Sequence, residues 1–233
     1  MKWKSVAERL FPAGHTIVQD GDFLSGKGCC DTQDFTVIGT TNHAEVGVEL
    51  ALSMARAVLD TVRQYPHRSI LFLIDTSGQR LRHRDELLGI NSYMAHLGKC
   101  VEVARHNGHR VLGLIYDQAL SGGFIPNAMM ADLCGALPEA EIRVMGLPAM
   151  ARITRIAEER LRRLSETSPV FAPGAINFVQ MGAIDALWEG DLAACLLDTL
   201  QRANAGDHRS QRGLERGGRR LAKTVAQRVL DDA

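Results

Sequence analysis

The residues best suited to chemistry run from Ile115 to Phe124, Ile-Tyr-Asp-Gln-Ala-Leu-Ser-Gly-Gly-Phe. A buried strand ends here, and Gly122 and Gly123 stand where a helix begins. Glycine lets the backbone turn sharply and lets a ligand approach it closely. The first amides of a helix lack internal partners and carry the positive end of its dipole. Such a turn is a main-chain site for a carboxylate or a developing oxyanion. The same residues also suit a plain strand-to-helix turn in which glycine serves close packing.

Ser121 invites comparison with a nucleophile elbow, G-x-S-x-G, but Ala119 occupies the first glycine position. A nucleophilic serine also needs a positioned base, and the eight histidines single out none. A second candidate is Asp75-Thr-Ser-Gly78-Gln79, which follows the apolar run Ser69–Ile74. Ligands of open α/β sheets bind at the carboxyl ends of parallel strands, so Asp75 and Gly78 are candidate substrate contacts. An Asx turn accounts for Asp75 equally. His83, Asp85 and Glu86 are the densest group of metal-ligand types, but they lie among Arg80, Arg82 and Arg84 and read as solvated. No H-E-x-x-H occurs, and no metal is expected.

The elements that must position these residues follow from hydrophobic spacing. Asp34–Gly39 reads as a buried strand. Val48, Leu52, Ala55, Leu59 and Val62 mark one face of a long helix that Pro66 stops. Ser69–Ile74 suits a central strand covered on both faces. Leu87, Ile90, Met94, Leu97, Val101 and Ala104 mark a second long helix, and Arg110–Tyr116 another buried strand. A shorter helix follows from Ser121 to about Ala131, with Pro126 in its first turn. Two short strands, Leu133–Leu137 and Glu141–Met145, precede helices near 148–165, 174–181 and 190–204. This alternation is an α/β layout with parallel pairing. No G-x-G-x-x-G follows the first strand and no P-loop occurs.

The ends differ. Residues 1–34 read as irregular: a short amphipathic piece (Trp3, Val6, Leu10, Phe11), glycine-rich loops and one edge strand. From residue 205 a basic tail begins, with Arg209, Arg212, Arg216, Arg219, Arg220, Lys223 and Arg228. It reads as a flexible tether with one terminal amphipathic helix, either solvated or touching nucleic acid or an acidic carrier protein.

Composition narrows the class. The 233 residues are 45% apolar and 23% charged, enough for one domain with a sizeable core. Lys+Arg and Asp+Glu are both 27, so no general attraction to nucleic acid or anionic membrane is expected. Neither a membrane-length apolar run nor a secretory leader is visible. The five cysteines are scattered and contain no C-x-x-C, which argues against a disulfide scaffold or zinc ribbon and for a reduced cytoplasm. Aromatics at 5% and 22 glycines suit close-packed helices and tight turns more than a β-sandwich.

Several segments carry a resemblance: Phe72-Leu-Ile-Asp-Thr-Ser-Gly78, Leu88-Gly-Ile90, Ala119-Leu-Ser-Gly-Gly-Phe124 and Ala136–Gly146. Together they resemble the carboxyltransferase branch of the crotonase superfamily. Ala140-Glu-Ile-Arg-Val-Met-Gly-Leu-Pro-Ala-Met-Ala-Arg152 and Thr167-Ser-Pro-Val-Phe-Ala-Pro-Gly174 are similar to the gamma-subunit family of biotin-independent malonate decarboxylases. The resemblance spans about residues 35–204, taken as the carboxyltransferase domain, and is weaker at both ends.

The resemblance implies a crotonase-like (ClpP/crotonase) spiral of repeated β-β-α units. It implies that an alpha subunit exchanges acetyl for malonyl on an acyl carrier protein bearing a phosphopantetheine-derived group. The beta and gamma subunits then decarboxylate that malonyl thioester, so a beta–gamma heterodimer is expected and no cofactor bound by this chain. It further implies an oxyanion pair at the amides of Gly123 and Phe124, with Gly122 shaping the turn. Asp75, Gly78, Ser121 and Met145 are the implied substrate contacts. Phe124, Ile125 and Met145 are candidate apolar walls, with core packing the equal alternative. Tyr116, His96 and water are candidate proton donors. A biotin-dependent carboxyltransferase subunit and a non-catalytic scaffold subunit are the rival readings.

Overall fold

A computed structural model describes residues 2–167, 174–203, 209, 211, 215 and 221–231. The run at 69–79 is apolar or small at nearly every position, as a strand covered on both faces must be. It forms the middle of a nine-stranded mixed sheet. The strands are β1 (Val18–Asp20), β2 (Phe23–Cys30), β3 (Gln33–Thr40), β4 (Ala44–Val46), β5 (Ser69–Gln79), β6 (Val111–Leu120), β7 (Leu133–Ala136), β8 (Glu141–Arg143) and β9 (Ala186–Leu187). The order is β1-β2-β3-β5-β6-β7-β9; β4 pairs with β5, and β8 with β6. From β3 onward the pairs are parallel, while β1, β2 and β3 are antiparallel.

Helices cover both faces. α1 is Trp3–Leu10, α2 Val48–Gln64, α3 His83–Leu87, α4 Ile90–His106, α5 Leu147–Thr154, α6 Glu158–Thr167, α7 Ala175–Gln180, α8 Leu192–Arg202 and α9 Ala222–Asp231. One core lies between the sheet and α2 and α4, with Ile38, Phe72, Ile74, Met94 and Ile115. The other lies between the opposite sheet face and α1 and α8, with Leu10, Phe35, Leu73, Leu114 and Leu196. No helix among the described residues is long and apolar enough to cross a membrane.

The structure corrects several expectations. Residues 1–34 are not irregular: α1, β1, β2 and the start of β3 occupy most of them. The second long helix begins at Ile90, because Gly89 takes a left-handed conformation (φ 75°) that ends α3 and leaves Leu87 exposed. On α2 the buried stripe is Val48, Ala51, Met54, Ala55, Val58 and Thr61. Its small residues allow close approach, and Leu52 is turned out. The expected helix at 148–165 is two, broken where Arg155 takes φ 61°. β5 and β6 run on past Ile74 and Tyr116 to Gln79 and Leu120, with an irregularity between Ile74 and Thr76. Asp85 is not solvated. It is buried, accepts the Val48 N–H at 3.0 Å and pairs with Arg82 at 2.8 Å, so α3 caps the start of α2. The terminal helix is α9. Most of the expected tether, and residues 168–173 of the Thr167–Gly174 motif, lie outside the described residues.

Candidate functional site

After β6 the chain makes a 3-10 turn, Ser121–Phe124, and then a π-helical turn, Ile125–Met129, with Pro126 near its start. A 3-10 turn is a common connector, whereas π-helical turns are rare and found often at functional positions. The left-handed residue of the turn is Ser121 (φ 55°); neither glycine has a positive φ. The glycines therefore supply space. A Cβ on Gly123 would stand 2.7 Å from Thr76 Oγ1 and 2.8 Å from the Gly78 backbone. Nothing lies within 4 Å of the equivalent point on Gly122.

Thr76 is fixed in turn. Its hydroxyl donates to Ala44 O at 2.7 Å and accepts the Gly78 N–H at 3.0 Å. The Gly78 amide is thus used internally. The Ile125 amide is spent on Gly122 O.

The open side of Gly122 faces a cleft of about 510 Å³ between α4 and the two turns. That volume suits a small-molecule site. Met94, Ala95, Gly98, Ile125, Pro126 and Met130 give it apolar walls. Gln79, Asn91, Lys99 and Glu102 are its polar lining. Glu102 also holds Arg209 of the basic tail at 3.0 Å. Gly98 and Ala95 carry a readable signal: small residues on one side of a helix leave room beside it.

Phe124 packs into the core rather than the cleft, whereas Ile125 is a wall. Ser121 is exposed and packs by its Cβ near Gly78. Met145 is half-buried beyond β8, and Asp75 is buried on β5; neither lines the cleft. Tyr116 is buried and its hydroxyl donates to Thr40 O at 2.9 Å. Burial pushes its pKa far up, so it is a poor acid where it stands. His96 is exposed on α4, with Nε2 3.6 Å from Cys100 Sγ.

Sequence reasoning missed His43. Its ring lies beside Asp75 and Asp117, at 3.7 and 3.8 Å, although the three come from separate elements. Asn91 and Lys99 were also missed, being polar residues on a helix with no motif around them.

Known proteins place this architecture. Malonyl-S-ACP:biotin-protein carboxyltransferase MADD of Malonomonas rubra is 30% identical over 202 residues, covering 77% of this chain and 69% of that protein. The crystal structure of the Pseudomonas malonate decarboxylase MdcD-MdcE hetero-dimer contains a chain 25% identical, with a TM-score of 0.78 over 98% of this chain and 97% of that one. The transcarboxylase 12S core, 15% identical, gives a TM-score of 0.72 over 85% of this chain and 41% of its own. The fold is that of crotonase-like carboxyltransferase subunits. The model of the malonate decarboxylase gamma subunit (MdcE) matches residues 41–233, which takes in β4 to β9, the turn, the cleft and the basic tail. On that match over most of its length, the chain belongs to the malonate decarboxylase gamma-subunit family.

Proposed function

We propose that this chain works with a beta-type subunit to decarboxylate a malonyl thioester carried on an acyl carrier protein, with an alpha subunit loading the carrier. The observation that carries this reading is the apolar cleft opening onto the clear side of Gly122. Loss of carbon dioxide breaks the bond between the carboxylate and the α-carbon. Its electron pair moves onto the α-carbon and is shared with the thioester oxygen as an enolate; a proton then yields the acetyl thioester. Main-chain donors serve such chemistry without adding a charge, and one donor is typically worth ~10²–10³ in rate. In this reading the amides of Gly123 and Phe124 supply a pair near the departing carboxylate, with Ser121 and Gly78 flanking it.

The beta-type partner is supported by exposed apolar side chains beyond the ends of β5, β6 and β8: Leu81, Leu87, Ile125 and Val144. Such side chains mark interaction surfaces. The chain is placed in the cytoplasm in this reading and binds no cofactor of its own. A second reading, carboxyl transfer to a biotinylated protein, is favoured by the identity with MADD.

The test is carbon dioxide release from a malonyl thioester with this chain, its beta-type neighbour, and both. Activity only in the mixture supports the shared site. Activity of the neighbour alone makes this chain a scaffold. Carboxyl transfer only after a biotinylated carrier is added favours the second reading.

A further inference from the structure

We propose that His43, Asp75 and Asp117 form a binding site for a divalent transition-metal ion, separate from the Gly122 cleft. Three elements build it: the loop before β4, strand β5 and strand β6. His43 Nε2 lies 3.7 Å from Asp75 Oδ1 and 3.8 Å from Asp117 Oδ1. One ligand atom from each residue falls within 4.8 Å of the others.

Strand alternation orders the side chains of β5 up to Ile74. Successive side chains on β5 point to opposite faces. Ile74 enters the core that also takes Phe124, while Leu73 enters the other core together with Tyr116. Past Ile74 the pairing is irregular, and Asp75 is placed by its own contact with the His43 N–H, while Thr76 beside it faces the point where a Cβ on Gly123 would stand.

Asp75 supplies the decisive observation. It is 3% exposed. Its Oδ2 accepts the His43 N–H at 2.9 Å, which fixes the loop that carries the imidazole. Its Oδ1 is sealed from water and closes no hydrogen bond, and burial raises the carboxyl's pKa against the opposing pull of the His43 and Gln118 amides. A buried carboxylate oxygen left so is costly, and this one points at the His43 ring and the second carboxylate.

The donor set decides the ligand class. An imidazole nitrogen with two carboxylate oxygens suits zinc, manganese or ferrous iron better than an all-oxygen ion such as calcium. Ligand distances of about 2.0–2.2 Å place neighbouring donors roughly 3–3.5 Å apart. The observed spacings around the histidine need only contract by a few tenths of an ångström, and the two carboxylates offer oxygens within 4.8 Å of each other. The side chains of His43 and Asp117 are 55% and 34% exposed, which gives an ion its entry and water the remaining positions. Asp22, which accepts from Asn42 Nδ2 at 3.0 Å, adds a further negative charge near the loop.

The test uses the full-length chain co-purified with its beta-type partner and stripped by chelator. Zinc or manganese is titrated calorimetrically into this complex and into complexes carrying His43→Ala or Asp117→Asn. The expected result is one ion per gamma-type chain that each variant weakens by at least about tenfold, since even loss of an outer-shell partner costs that much. Circular dichroism confirms that both variants remain folded. Absence of binding tighter than about 1 mM, or binding that neither variant changes, overturns the site. A His43 ring that titrates against the two carboxylates in the stripped complex, with no response to either metal, overturns it in favour of an ion pair.

Discussion

The Thr76 hydroxyl lies 2.7 Å from the point that a Cβ on Gly123 would occupy. That closeness separates the two glycines of the turn, which look interchangeable in sequence. Gly123→Ala should cost about 1–3 kcal/mol of stability, as overpacking a tight contact does. Gly122→Ala should leave the melting temperature unchanged and lower decarboxylation by crowding the cleft. Thermal melts beside turnover assays check both. A stable Gly123→Ala protein would contradict the packing argument.

The partner surface makes a different prediction. Leu87 is 74% exposed and Val144 73%. Leu87→Lys or Val144→Lys should leave this chain's own melting curve intact and weaken co-elution with the beta-type subunit. A variant complex that elutes unchanged would move the interface elsewhere.

Asp85 sets an acid limit. The Val48 amide, and then the Arg82 guanidinium, hold its carboxyl below the ordinary aspartate range against the opposing effect of burial. A lowered pKa means that its contribution is complete above the unfolded value of about 4 and is lost as pH falls through the folded value. Asp85→Ala should therefore melt earlier at neutral pH, and its deficit against the parent should shrink below about pH 4. A deficit that stays constant with pH would place the effect in packing instead.

Gly135 predicts a spectroscopic signature. A Cβ there would meet Trp188 Nε1 at 2.1 Å, and Trp188 is buried against β7. Gly135→Ala should displace the indole, red-shift the tryptophan emission and lower stability by about 1–3 kcal/mol. Parent-like emission would show that the sheet yields instead.

Much of the parallel framework was legible because its signals are local. The apolar run at 69–74 and the spacing of Ile90, Met94, Leu97, Val101 and Ala104 need no tertiary information. The failures came where one residue's backbone or a distant partner decides. Leu87 fits the helical spacing, yet Gly89 breaks the helix before the spacing can be used. Leu52 fits a face that Ala51 and Met54 take instead. Asp85 looks like one charge among arginines until α2 is brought above it. The Gly122 turn was readable as a motif, but only the folded chain separates its two glycines. His43 had no signal at all, since Asp75 and Asp117 reach it through strand pairing across 32 and 74 positions of sequence.

The antiparallel start of the sheet also bears on the order in which the molecule can assemble. β2 and β3 are joined by the two residues Asp31 and Thr32 and pair along their whole length, from Phe23↔Thr40 to Cys30↔Gln33. Every later neighbour in the main sheet must wait for a crossover, the first of which runs through α2. Local pairings pay little loop-closure entropy, whereas parallel ones pay much more. As synthesis proceeds from the N-terminus, a ready-made ribbon leaves the ribosome ahead of any crossover helix. Its β3 edge is the template on which β5, and then β6 with its glycine turn, are laid down in sequence.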